Sequence, residues 1–280
     1  MNSNLQANSN MDNLQFSFYN KGIHSIGDHY TRRKLSDEEI RKLRTQYPKA
    51  LYIRNMYDFD CTEKTNYWCV ILDKFYEIDE LPSKSTRKNL RKSLSVYTYR
   101  LATKDEMMKY GYQIQCECDE RFGIPLRYTN DEFSAFVERA FERHQEFWIG
   151  YHTESMEPAM WELISIRSDY VIENSERLSY KFTQHNPTYG LNWTIAKYYL
   201  KEKGYKYIEA GEKSLSGHSN VQDFLIDKFC FRKAYCHLQV WMHPLLRTAL
   251  FLAQPFKKLL SRKSKLKALF ALYDFSKSTD

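Results

Sequence analysis

Two periodicities alternate along the chain, and each switch marks an element. Residues 36–48 (SDEEIRKLRTQYP) set apolar positions at helical spacing. Ser36 predicts the N-cap, Glu39 the reciprocal partner of a capping box, and Pro48 the stop. The stretches ALYIRNM (50–56) and NYWCVILD (66–73) are rich in β-branched and aromatic residues and predict strands. A basic helix is expected over 83–94, a strand of period two over 96–103, and helices over 104–122 and 130–144. The last carries Phe133, Phe136, Val137, Ala140 and Phe141 on one stripe, with Asp131 and Glu132 in the first turn, where the helix dipole favours acids.

From Glu146 the period returns to two. Residues 146–152, 159–166 and 170–182 predict an antiparallel run, followed by a loop, TQHNPTYG (183–190). A helix over 191–203 closes at Gly204, a residue free to take the left-handed turn after a last helical turn. A strand (205–210), a polar loop, a helix (221–229) and a strand-pair region (231–242) complete the series. Residues 1–13 are expected to be disordered, and 245–280 to form an amphipathic helical tail. From Val96 the order β-α-α-β-β-β-α-β-α-β predicts a mixed α/β sheet, and excludes a sandwich, a bundle and a doubly wound sheet.

Composition narrows the functions. Against 22 Tyr and 17 Phe stand 9 Gly, and neither P-loop nor dinucleotide-fold glycine spacing occurs. The net charge of +7 is concentrated beyond residue 240, where eight Lys and Arg face only Asp274 and Asp280. Basicity is thus a property of the tail, and with no base-reading motif, sequence-specific DNA binding is not expected. Six cysteines without a C-x-x-C pair predict reduced thiols and no metal site. The polar N-terminus does not read as a signal peptide, and no apolar run approaches the ~20 residues of a membrane span. A cytoplasmic location is expected.

The helix–strand pairs NWTIAKYYLKEKGYKYIEAG (192–211) and SNVQDFLIDKFCFRKAY (219–235), set in that element order, resemble GNAT-superfamily acyltransferases across residues 96–242. Lys228-Phe229-Cys230-Phe231 stands where the family has Lys-x-Gly-Phe. The segment SKSTRKNLRKSL (83–94) and the strands before it are similar to FemAB-like proteins, GNAT relatives built from two such halves. The resemblance implies a partial α/β subdomain (14–95), a GNAT-like domain (96–244) whose central strands splay to admit a thioester, and the helical tail (245–280). It implies acyl-CoA, typified by acetyl-CoA, as donor, and an amine on a sugar or amino-acid derivative as acceptor. Aminoacyl transfer from aminoacyl-tRNA and a non-catalytic binding module are the alternatives. The family's diphosphate loop falls on QHNPTYGLNW (184–193), where only Gly190 matches and Pro187 has no N–H to give. The family's tyrosine acid falls near Ile226 or Asp227.

On this basis Gly190, Leu191, Asn192, His218, Ser219 and Asn220 are the candidate cofactor-binding residues; Ser219 or Asn220 reads equally as a plain helix cap. Acyl transfer to an amine needs a base for the ammonium proton and a donor for the oxyanion. Glu209 and Glu173, with Glu162 beside them, are the candidate bases, and Tyr189 or Tyr207 the phenols, although packing is the plainer role for either ring. Trp161 and Trp193 read as core or cleft wall. Lys84, Arg87, Lys88, Arg91 and Lys92 form either a solvated face or a phosphate-binding surface for CoA, tRNA or an anionic saccharide. In the tail, Phe256, Leu259, Leu260, Leu266, Leu269, Phe270 and Tyr273 recur at helical spacing. They fit docking on the body of the protein, or an interfacial helix at the anionic inner face of a membrane.

Overall fold

The computed structural model describes residues 8–11, 14–217 and 220–277. In chain order the strands are β1 (Asn8–Met11), β2 (Leu14–Tyr19), β3 (Gly22–Ile26), β4 (Tyr52–Tyr57), β5 (Tyr67–Leu72), β6 (Tyr97–Leu101), β7 (Glu146–His152), β8 (Pro158–Ile166), β9 (Tyr170–Leu178), β10 (Tyr207–Glu212) and β11 (Arg232–Met242). The helices are α1 (Asp37–Gln46), α2 (Lys84–Val96), α3 (Lys104–Glu106), α4 (Tyr112–Arg121), α5 (Asn130–Glu142), α6 (Pro187–Ala196), α7 (Val221–Phe229), α8 (Pro244–Leu252), α9 (Lys257–Leu260) and α10 (Ser264–Lys277). Contacts divide the chain into two units.

The first unit contains Met1–Cys69, Glu212–Asn220 and Lys233–Asp280. Its sheet runs β1-β2-β3-β4-β11, antiparallel except where β3 meets β4. Helix α1 begins at Ser36 with both halves of the capping box to Glu39 in place. It presents Ile40 and Leu43 to Leu14, Phe16, Ile23 and Ile53, forming the core. Beside that core Tyr67 donates to Glu212 at 2.6 Å and Arg54 pairs with the same carboxylate. Helix α10 buries Phe270, Leu272 and Tyr273, and Phe275 meets Tyr67 edge to face at 5.6 Å.

The second unit contains Val70–Gly211 and Val221–Arg232. Strands β6, β7, β8 and β9 form an antiparallel meander, and β10 joins β9 in parallel. Because side chains alternate along a strand, the sheet has two distinct faces. One carries Phe147, Ile149, Trp161 and Leu163, which pack on Met107, Ile114, Phe133 and Val137 of the α3–α5 region. Met107–Gly111 is a π-helical turn; such a turn leaves carbonyls off the regular ladder, and Gly111 accepts from the Trp161 indole N–H at 3.1 Å. The opposite face carries Tyr99, Trp148 and Glu162 and is covered by α2 and α6.

The expected elements from residue 36 onward are present, with four differences. The strand expected over 170–182 ends at Leu178, and Tyr180–Phe182 is a 3-10 turn. Helix α6 starts at Pro187 rather than 191, since proline is pre-set for the first helical position and its missing N–H costs nothing there. The region 231–242 is one long strand, β11. The division into units also departs from the expected 14–95, 96–244 and 245–280: α2 belongs to the second unit, and the tail and most of β11 to the first. Linear boundaries miss this because the chain returns to its first sheet at the end. The disorder expected for 1–13 falls on residues outside those described, except that 8–11 form β1.

Gly190 shows why α6 sits so close to the sheet. A Cβ at this position would overlap the Tyr99 ring and hydroxyl and the Ser93 Oγ. Tyr99 cannot swing aside without losing its 2.7 Å bond to the Pro187 carbonyl. Gly190→Ala gains about 1 kcal/mol of helix propensity but overpacks a buried contact at about 1–3 kcal/mol. The expected outcome is a lower melting temperature by several degrees; an unchanged or raised value would show that α6 is free to move off the sheet.

Candidate functional site

The site is built by one irregularity. Across β8 and β9, Glu162 lies opposite Glu176 and Leu163 opposite Ser175, but Ile164 lies opposite Glu173. Asn174 is therefore an extra residue, a β-bulge, and its side-chain N–H donates to Ser165 Oγ at 2.8 Å. In a regular strand Glu173 and Glu176, three apart, would face opposite ways; the extra residue brings both to the face of Glu162. Trp148, Glu162 and Glu176 then stand side by side on β7, β8 and β9.

Pairing with the neighbouring strand stops beside them. β9 and β10 pair only at Tyr170 with Tyr207, Val171 with Ile208 and Ile172 with Glu209. Beyond Ile172 the β10 side of β9 is unpaired, so Glu173 and Glu176 lie where the two parallel strands part. The first turn of α6 stands over this split. Thr188 donates to Glu176 at 2.7 Å, and Asn192 hydrogen-bonds to the same carboxylate.

Packing three carboxyls together out of water disfavours their charged forms. Burial, reinforced by Glu173 and Glu176, pushes the Glu162 carboxyl well above the usual carboxylate range. Burial and then Glu176 push Glu173 up to about 8. Burial also raises Glu176, while the Thr188 hydroxyl, the Arg177 charge and Asn192 pull it back. Glu162 Oε2 and Glu173 Oε1 are buried with no hydrogen-bond partner among the described residues. The Glu162 and Glu173 carboxyls thus hold their protons to higher pH than free carboxyls do.

On the same face, Tyr99, Leu101, Trp148, Trp193 and Lys197 line a depression of about 540 Å³. Trp148 is held by a 3.1 Å bond from its indole N–H to Tyr199 Oη, and Tyr199 in turn donates to Glu146. Trp193 is fixed by a 3.1 Å bond to the Tyr76 carbonyl. Flat rings with charged rims suit a saccharide or other polar ring.

The expected site residues fall into several places. Glu173 and Glu162 come together. Glu209 is buried but pairs with Ile172, on the face opposite Glu173. Tyr189 lies between the rings of Phe224 and Phe229 at 5.3 and 5.4 Å. Tyr207 stacks on Tyr170 at 4.6 Å, and Trp161 is core. Leu191 is fully buried. The Gly190 N–H is committed to Ser93 Oγ at 3.1 Å and the Tyr189 N–H to the Asn186 carbonyl at 3.0 Å. With Pro187 at the first position, three of the first four residues of α6 have no amide to offer a diphosphate. Asn192 alone of the three expected at this helix entry meets the carboxyl cluster. Asn220 is exposed just before α7, and His218 and Ser219 lie outside the described residues. Sequence reading missed Glu176 and Thr188. Its available signal was Glu162, the single charge in the strand PAMWELISI, which marks a buried acid in need of neighbours. As for metals, Asp58, Cys61 and His237 of the first unit have donor atoms within 4.8 Å of one another, where no such group was expected.

No family model and no curated protein matches this sequence. Solved structures do match in fold. The crystal structure of FemX is similar with a TM-score of 0.57 at 12% identity, covering 89% of this chain and 86% of that one. The C-terminal DUF2156 domain of an Agrobacterium fabrum protein assigned as a lysylphosphatidylglycerol synthetase is similar with a TM-score of 0.52 at 10% identity, covering 80% of this chain and 79% of that one. The architecture, a mixed sheet with flanking helices, is similar to that of the FemX structure.

The raised Glu173 carboxyl sets a pH dependence. The folded chain holds this proton more tightly than the unfolded chain, whose carboxyl has the ordinary value of 4.5. Its contribution to stability is complete below that value and is lost as pH rises through about 8. Wild-type melting temperature should fall from pH 5 to pH 8.5. Glu173→Gln, uncharged at every pH, should flatten that fall and melt a few degrees above wild type at pH 8.5. Superimposable profiles would mean that Glu173 titrates as an ordinary surface carboxyl.

Proposed function

We propose that this protein is an acyltransferase of the FemAB-like kind, moving an aminoacyl group from an aminoacyl-tRNA ester to an amine on a saccharide or amino-acid derivative. The observation that carries the reading is the split between β9 and β10, with a proton-exchanging Glu173 at its unpaired edge. In this scheme the Glu173 carboxylate takes one proton from the acceptor ammonium. The amine nitrogen attacks the ester carbonyl, the C–N bond forms, and the tetrahedral intermediate expels the ribose oxygen, which leaves with the second nitrogen proton. The Glu173 proton then passes to solvent.

Two features favour a tRNA ester over acyl-CoA. The α6 amides that would cradle a diphosphate are committed within the chain. Helix α2 has no acidic residue and exposes Lys84, Lys88 and Lys92, a surface suited to a phosphodiester backbone. The aromatic depression beside the carboxyl row offers a seat for the acceptor's ring.

The test is transfer of a radiolabelled aminoacyl group from charged tRNA to amino-sugar and amino-acid acceptors, run beside acetyl-CoA at millimolar concentration. The reading expects transfer from tRNA and none from acetyl-CoA. Glu173→Gln should lose on the order of 10²-fold or more in kcat with little change in KM for the acceptor, the scale of a lost general base. Turnover with acetyl-CoA alone would replace the donor. Turnover with neither would leave a binding module on this fold.

A further inference from the structure

Part of the tail faces water with an apolar surface that its own helices do not cover. Within fifteen residues of sequence, Leu245 is 77% exposed, Phe251 62%, Leu252 67%, Phe256 61% and Leu259 58%. On α8, Leu245, Ala249 and Leu252 are spaced to fall on one side of the helix, and all are exposed. Leu250, on the other side, is 5% exposed and faces the body of its unit. Helix α8 is thus apolar on two opposite faces, and only one is used. By contrast α10, the other half of the expected amphipathic tail, is docked through Phe270, Leu272 and Tyr273.

The charge around this surface has one sign. No Asp or Glu occurs between Asp227 and Asp274. Lys258, Arg262, Lys263, Lys265 and Lys267 are exposed, while Lys257 pairs with Asp274 at 2.7 Å. Exposed Leu and Phe flanked by uncompensated cations match a bilayer interface, where apolar side chains enter the headgroup boundary and cations meet lipid phosphates. A large apolar patch on a water-facing helix otherwise costs solubility. None of the described helices is long and apolar enough to cross a membrane, which leaves attachment in the plane of the surface.

We propose that the α8–α9 segment is a membrane-docking surface for anionic lipid, with Leu245, Phe251, Leu252, Phe256 and Leu259 inserting and the cations from Lys258 to Lys267 bound at the headgroups. This site is independent of the transfer reaction: it is formed by the first unit, and its readout needs no turnover.

The experiment is sedimentation of the full-length protein with vesicles of phosphatidylcholine alone and of equal phosphatidylcholine and phosphatidylglycerol, at 50 and 500 mM salt. Wild type is expected to pellet with the anionic vesicles at low salt, and much less with neutral vesicles or at high salt, where charges are screened. Leu252→Glu/Phe256→Glu should stay in the supernatant with an unchanged melting temperature, because both side chains are exposed. Lys258→Ala/Arg262→Ala/Lys263→Ala should partition on the order of 10²-fold less, about fivefold per cation removed. Failure of wild type to bind anionic vesicles overturns the proposal, as does full binding by the double glutamate variant. A dimer in light scattering that the same glutamates dissolve, without vesicle binding, would assign the surface to a second copy instead.

Discussion

The arrangement of the second unit depends on one extra residue. Asn174 breaks the alternation of β9, and the break turns three carboxyls onto one face of a buried sheet. Each is costly to ionise in that position, and the neighbouring carboxyls add to the cost; Thr188 and Asn192 offset part of it at Glu176. A bulge beside a site is a common device for re-aiming a side chain. Here it places Glu173, a carboxyl that burial pushes up to about 8, at the point where β9 loses its second neighbour. Restoring regular pairing would send Glu173 to the α3–α5 face, into an aromatic core around Trp161 that has no place for it.

The covering helix belongs to the same constraint. α6 can lie close to α2 and β6 because Gly190 has no side chain, and its first turn is tied down there by Ser93 and Tyr99. Those ties consume the amides that a diphosphate would use. Gly190, expected in a phosphate loop, makes a close packing contact with Tyr99 and Ser93, and close approach by glycine serves both purposes in different proteins. The same positions therefore carry opposite implications for the donor, depending on where the N–H groups point. Nothing in the letters QHNPTYG decides this.

Local signals in the sequence were read well where the physics is local. The capping box of Ser36 and Glu39, the Phe133–Phe141 stripe of α5, and the strands β7 and β8 depend on near neighbours, and each is present; the alternation expected in those strands is not, because both of their faces are buried. Three things depended on partners distant in sequence. The shift of Glu173 and Glu176 onto one face needs the register of β8. The burial of Glu209 on the other face needs its pairing with Ile172. The return of the tail to the first unit needs the whole chain. The tail also divided in a way that its hydrophobic spacing cannot express: a single stripe from Phe256 to Tyr273 is exposed at one end and buried at the other.

Glu173 is proposed to hold its proton near neutral pH where β9 stops pairing with β10, and carbon-13 NMR of protein labelled at the glutamate side-chain carboxyl reads it directly. One resonance, absent in Glu173→Gln, should titrate with a midpoint near 8. Its profile should be broadened by coupling to Glu162 and Glu176. If every glutamate resonance titrates near the ordinary value of 4.5, the three carboxyls are solvated, the bulge has no chemical consequence, and the proposed site is not there.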